Sequence, residues 1–134
     1  MKKLTLISFI YLALAGCSVS KPKTTSTTEL LNGVWTEKWI GTGTDINYVD
    51  TLRIEAKNKK ILIMCVNDKN YLYDNISFQE NELKFRMENL SSDEKFYVYY
   101  QLKLNKDGKL LVGPVNNSKN QADTVKLEKL VNRN

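Results

Sequence analysis

The stretch Phe96–Leu104 reads FYVYYQLKL, and its alternation decides the fold class. Every second position is apolar: Phe96, Val98, Tyr100, Leu102 and Leu104. The positions between them carry Tyr97, Tyr99, Gln101 and Lys103. A period of two is typical of an antiparallel β-strand with one face in a core and the other toward solvent.

Seven further segments have strand-like patterns, and short polar breaks separate most of them. They are residues 33–40, 47–56, 61–66, 71–78, 83–87, 110–115 and 124–130. The break Asn105-Lys106-Asp107-Gly108 is typical of a hairpin, because glycine accepts positive φ without steric cost. Since parallel crossovers need a dozen or more residues, breaks this short predict that consecutive strands pair antiparallel.

Eight antiparallel strands predict an all-β, eight-stranded up-and-down β-barrel, with a two-sheet β-sandwich as the alternative. Closure of the sheet into a barrel removes the two free edges of a meander, and eight strands are enough to form a closed barrel. Within segment 71–78 we expect Leu72, Ile76 and Phe78 to share the inward face. Met64 and Met87 are expected to fill the core, as is Cys65.

Residues 1–17 read MKKLTLISFIYLALAGC, which predicts a secretory signal peptide over residues 1–16. Two lysines precede an apolar run that is shorter than the ~20 residues a membrane-spanning helix needs. The end of the run, Leu-Ala-Gly-Cys17, resembles the bacterial lipobox. The resemblance implies that the Cys17 thiol carries the lipid and that cleavage occurs just before it.

A lipid on Cys17 predicts a protein of the cell envelope, anchored to a membrane. Ser18, rather than Asp, follows the cysteine, which favours the outer over the inner membrane in a Gram-negative cell. Residues 17–29 are rich in Ser, Thr and Lys and predict a flexible tether, so the folded domain is expected over residues 30–134.

The segment Leu31-Asn32-Gly33-Val34-Trp35 resembles the opening strand of lipocalin-like domains, which begin with Gly-x-Trp. Residues 124–130 are similar to the last strand of the small lipocalin-like domains of bacterial lipoproteins. The resemblance implies that Trp35 packs across the closed end of the barrel against an Arg of the final strand. No Arg occurs there, and Lys126 or Lys129 is the nearest substitute.

The composition excludes several kinds of catalytic and metal site. The chain has no histidine, which excludes Ser-His-Asp and Cys-His sites and every His-based metal site. Two lysines of the leader contribute to the net charge of +5, and the +3 that remains without them is spread along the chain without a basic block, which argues against nucleic acid as a partner. Asp50 and Asp74 each lie on an otherwise apolar face, but no enzyme motif surrounds them. We therefore expect a non-enzymatic protein without a metal or cofactor.

The leading functional hypothesis is that the barrel binds a small hydrophobic or amphipathic ligand beneath the loop of residues 41–44. The predicted ligand-binding residues are Trp39, Tyr48, Ile54, Phe85, Met87 and Tyr100. The alternative is a protein-interaction module, such as an envelope enzyme inhibitor or immunity protein. That function would use an outer patch of tyrosines, namely Tyr71, Tyr73, Tyr97 and Tyr99. A cavity above ~300 Å³ would favour the ligand, and a filled interior the partner.

Overall fold

A computed structural model describes residues 27–40 and 50–130, which form a short 3-10 helix and eight β-strands. The helix is Thr27–Leu31. The strands are β1 Gly33–Trp39, β2 Thr51–Lys57, β3 Lys60–Cys65, β4 Tyr71–Gln79, β5 Glu82–Asn89, β6 Phe96–Leu104, β7 Leu110–Asn117 and β8 Ala122–Lys129. Among these residues, no helix has the length and apolar character that crossing a membrane requires.

All strands belong to one antiparallel sheet, which curls into a nearly closed barrel in the order β3-β2-β1-β8-β7-β6-β5-β4. The predicted fold class is thus confirmed. Closure occurs between the first and last strands, where the register runs from Trp35↔Lys129 to Trp39↔Val125. The strands β3 and β4 remain the two edges of the sheet and face each other across a seam.

Tight turns set the register of two hairpins. Asn58 and Lys59 join β2 to β3, and both have φ values near +60°, at 52° and 66°. Glu80 and Asn81 join β4 to β5 in the same way, with φ values of 51° and 63°. Two successive positive φ values give the turn whose twist matches that of the flanking strands.

One half of the barrel interior is sealed by apolar side chains. Its members have 0% of their surface exposed: Leu31, Trp35, Leu83, Leu102, Leu111 and Leu127. Leu52 and Val125, which lie nearer the other end, are equally buried. A side chain with no accessible surface adjoins no void large enough for a water molecule. This half of the barrel is therefore a packed core.

The 3-10 helix closes the sealed end through Trp35. The indole Nε1 donates a hydrogen bond of 2.9 Å to the Leu31 carbonyl. The Lys129 ammonium lies 4.9 Å above the Trp35 ring, the position that the resemblance gives to an Arg. Asn32 ties the helix to β2, since its Nδ2 donates to the Ala56 carbonyl at 3.0 Å.

Strand β4 changes the face that it turns inward midway along its length. Tyr73 is buried in its first half, whereas Leu72 is 46% exposed, so the predicted inward position of Leu72 was wrong. A bulge interrupts the register between Asp74 and Ser77, and Asn75 within it has a φ of 52°. One extra residue reverses the alternation, and the second half packs Ile76 and Phe78 against the core as predicted.

The outer face of β3 is unusually apolar. Leu62 and Met64 are 47% and 38% exposed, so the prediction that Met64 fills the core was wrong. Only Ile63 of this strand is fully buried, and Cys65 packs against the core from a half-buried position. The cause is geometric: in a barrel wall, alternate residues must point outward whatever their polarity.

Candidate functional site

The barrel mouth is the end of the barrel at which β1 ends and β2 begins. Four interior side chains near this end are half-buried and pack against the core on one side: Cys65, Tyr71, Met87 and Phe96. Their neighbours Tyr73, Val98 and Tyr100 are buried, and Ile61 and Phe78 are half-buried near the other end. The barrel mouth is therefore the part of the interior where a ligand could make contact with described residues.

Three of the predicted ligand-binding residues come together near the barrel mouth. The rings of Phe85 and Tyr100 stack with centroids 4.3 Å apart and planes 13° apart. Met87 follows Phe85 on the inward face of β5 and pairs in register with Val98. Tyr73 adds a tilted ring contact to Phe85, at 5.9 Å. These residues form an aromatic floor beneath the mouth.

The other predicted residues lie apart from this floor. Ile54 pairs in register with Gly33 near the sealed end and is only 1% exposed. Trp39 ends β1 at the barrel mouth and is 36% exposed. Tyr48 lies outside the described residues, as do Cys17 and the loop of residues 41–44.

Glu37 is the residue at this site that the sequence analysis missed. It is 2% exposed, and the Tyr100 hydroxyl donates a hydrogen bond of 3.0 Å to its Oε1. Its backbone N–H donates to the Asp50 carbonyl at 2.8 Å. The signal was present in β1: Trp35 must point inward, so Glu37, two residues later, must share its face.

Burial raises the pKa of Glu37 to about 7. Hydrogen bonds from Tyr100 and from the Trp39 side chain favour the ionised carboxylate and oppose that rise, while the nearby charge of Asp50 adds to it. Among the described residues, no lysine or arginine forms an ion pair with Glu37. At neutral pH the carboxyl group is therefore divided between its protonated and ionised forms.

The neighbouring hydroxyls remain protonated. Burial raises the pKa of Tyr100 well above its ordinary value, and the charge of Glu37 adds to the effect. Burial likewise raises the pKa of Tyr73. The site thus offers a phenol, a carboxyl group and stacked rings, which suit an apolar molecule with a small polar head. In the described part of the chain, no three Cys, Asp or Glu side chains gather as a metal site would need.

Asp50 and Asp74 do not meet. Asp74 points outward and binds Arg86 through two hydrogen bonds, of which the bond from Nε is 2.8 Å long. The hydrogen bonding from Arg86 lowers the pKa of Asp74. Asp50 lies at the barrel mouth, where burial, and secondly the charge of Asp68, raise its pKa.

The predicted outer patch of four tyrosines is wrong in part. Tyr73 is buried, and Tyr71 packs against the core, because both precede the β4 bulge. Tyr97 and Tyr99 do lie on the outer face of β6, where the Arg86 guanidinium sits 4.5 Å from the centre of the Tyr97 ring. Of these four tyrosines, only Tyr97 and Tyr99, both on β6, therefore face outward.

No protein-family model matches this chain, and neither a curated protein nor a solved structure matches it.

Proposed function

We propose that this protein is a lipid-anchored lipoprotein of the cell envelope whose barrel binds one small hydrophobic or amphipathic ligand at its mouth. The signal-like leader and Cys17 support the anchor. The nearly closed eight-stranded barrel supports the binding function, since barrels of this size hold at most one small ligand.

The observation that carries the proposal is the hydrogen bond from Tyr100 to the buried carboxyl group of Glu37. A buried polar pair disfavours a dry core, because burial of the carboxylate costs free energy that an apolar side chain would not. Glu37, Tyr100 and Phe85 are 2%, 4% and 3% exposed, so a ligand would have to displace the half-buried side chain of Met87 to reach this pair. Its polar head would then share the hydrogen bonds of the pair, while its chain would lie on Phe85.

The sealed half of the barrel limits the ligand to a short one. Trp35 and Leu83 have no exposed surface, and Ile54 has almost none, so a long acyl chain could not pass them without unfolding the core. An acid head group is also disfavoured once Glu37 ionises, since two carboxylates would repel. The expected ligand is a short, uncharged amphipathic molecule.

Binding is tested by titrating the full-length protein in detergent micelles with 1-hexanol and with hexanoate at pH 8. Saturable binding of hexanol, with a shift of tryptophan emission that disappears in Trp39→Phe, is expected. Hexanoate should bind more weakly than hexanol at this pH. Non-saturable responses to both compounds would contradict a site at the mouth.

The anchor is tested separately through Cys17. The substitution Cys17→Ala should abolish acylation and release the domain from the membrane fraction while leaving its fold intact. A matched Cys65→Ala variant removes the other thiol and should remain lipidated. Lipid labelling and membrane partitioning of Cys17→Ala that equal the wild type would refute the anchor.

The seam favours a second candidate function, in which an envelope protein is the partner. Three large apolar side chains, Leu62, Met64 and Leu72, lie exposed on the two edge strands. Exposed edges with apolar side chains are surfaces on which a further strand can pair. Crosslinking in cells that depends on Leu72 but not on Met87 would support a partner instead of a small ligand.

A further inference from the structure

A groove of about 330 Å³ crosses the barrel wall at β5, β6 and β7, and the buried residues Phe85, Tyr100 and Val115 also border it. Register places its side chains in two rows across β5, β6 and β7. The first row is Arg86, Tyr99 and Asn116, and the second is Lys84, Gln101 and Pro114. Asn75, in the β4 bulge, adds a further amide at one end.

Tyr99 and Pro114 give the groove a flat apolar surface. Tyr99 is 48% exposed, which is high for an aromatic side chain in the middle of a sheet. Pro114 is exposed on the neighbouring strand, two residues before Asn116, the register partner of Tyr99, and so lies diagonally across from Tyr99. An exposed ring beside an exposed proline offers two planar faces on which an apolar ligand surface can lie.

Both cations of the groove are already neutralised by neighbours. Arg86 is held between Asp74, through two hydrogen bonds, and the ring of Tyr97. The Lys84 ammonium lies 2.9 Å from Oε2 of Glu82. An anionic ligand would have to compete with these carboxylates, so the charge balance favours a neutral ligand.

Three side-chain amides surround the flat surface, and they determine which polar groups of a ligand the groove can bind. Asn75, Gln101 and Asn116 are exposed, and each amide provides both donors and an acceptor. The Gln101 amide nitrogen donates to Oε1 of Glu82, outside the groove, at 2.7 Å, and its amide oxygen remains an acceptor. Groups that both donate and accept suit hydroxyls, which do the same.

We propose that this groove binds a short neutral oligosaccharide, with one sugar ring on Tyr99 and Pro114. A pyranose has an apolar face of C–H groups and a rim of hydroxyls, which match the flat surface and the amides respectively. A purely apolar ligand would leave the amides without partners. An added peptide strand is disfavoured because β6 is paired on both sides.

The test uses the full-length protein in a detergent without a sugar head group, since a maltoside would compete. Chitotetraose, maltotetraose and cellotetraose are titrated by calorimetry, and saturation-transfer NMR identifies the sugar protons in contact. The variants are Tyr99→Ala, Tyr99→Phe and, as a surface control outside the groove, Leu72→Ala.

We expect at least one of the three sugars to bind the wild type, and Tyr99→Ala to weaken that binding by about tenfold or more. Tyr99→Phe should stay within about threefold of the wild type because the ring face remains, and Leu72→Ala should bind normally. Binding of none of the three sugars, or equal binding by Tyr99→Ala, would overturn the proposal. Hexanol should not displace the sugar, so this site and the barrel mouth are tested independently.

Discussion

The hydroxyl of Tyr100 lies 3.0 Å from Oε1 of Glu37, and this hydrogen bond joins β6 to β1 through the interior of the barrel. The two strands are separated in the sheet by β7 and β8, so the bond crosses the core. Glu37 carries the only fully buried carboxyl group of the described residues, and the ring of its partner Tyr100 is stacked on Phe85. The apolar core and the barrel mouth meet at this pair.

Glu37 should make the stability of the domain depend on pH in a defined window. Its pKa is about 7 in the folded state, against an ordinary value of 4.5, so ionisation opposes folding. The favourable contribution of protonated Glu37 to the free energy of unfolding is complete below pH 4.5 and is lost as the pH rises through about 7. Relative to wild type, Glu37→Gln should gain about 3 kcal/mol in unfolding free energy between these limits.

Urea unfolding of both proteins at pH 4.5 and at pH 8 measures this difference. The comparison removes the contributions of Asp74, Glu82 and Glu128, which titrate alike in the two proteins, and reports Glu37 together with its coupling to Asp50. A constant difference between the two proteins across the pH range would show that Glu37 is not buried in the folded state.

Removal of the Tyr100 hydroxyl should expose the cost of leaving Glu37 without its donor. Tyr100→Phe keeps the ring stacked on Phe85 but leaves the carboxyl group short of a hydrogen bond. We expect a loss of about 1–3 kcal/mol, larger at pH 8 than at pH 5 because the ionised form needs the donor more. The double variant with Glu37→Gln should show coupling in a thermodynamic cycle, and additive effects would disprove the contact.

Trp35 should be the most sensitive residue of the sealed end. It has no exposed surface, and its indole donates to the Leu31 carbonyl. Trp35→Ala should cost about 3–5 kcal/mol, as large aromatic truncations in cores do. Lys129→Arg is the matched conservative change and should preserve the contact above the ring. A denaturation midpoint of Trp35→Ala within error of the wild type would be incompatible with this packing.

Gly113 should not tolerate a side chain. A Cβ at this position would lie 2.0 Å from the Gln101 carbonyl oxygen, so the backbones of β6 and β7 would have to move apart. We expect Gly113→Ala to cost about 3 kcal/mol. Pro114→Ala, its neighbour and control, should change stability by less than about 1 kcal/mol, since Pro114 is exposed. Equal unfolding free energies of Gly113→Ala and wild type would contradict the close approach.

The sequence was sufficient to predict the strands, but not to predict for every strand which residues face the core. Alternation identified β6 correctly because its apolar and polar positions never exchange roles. It failed in β4, since the reversal depends on Asn75 adopting a positive φ, a conformation that sequence permits without requiring. Leu72 and Tyr73 were exchanged between the two faces as a result.

The site was predictable to a similar extent. Phe85, Met87 and Tyr100 could be grouped because their strands are neighbours and their parity is regular. Glu37 was within reach of the same rule, yet a charged residue in a strand is ordinarily assigned to the solvent face. The seam between β3 and β4 could not be predicted, because local patterns do not decide which two neighbouring strands stay unpaired.

The most direct test of ligand binding at the mouth compares two methionine-to-tryptophan variants by calorimetry with 1-hexanol. Met87 lies inside the barrel against the core, whereas Met64 lies on the outer face of β3. We expect wild type and Met64→Trp to bind one hexanol per domain. Met87→Trp should stay folded but bind none, because the indole fills the mouth. Equal binding by the two variants, or no binding by the wild type, would contradict it.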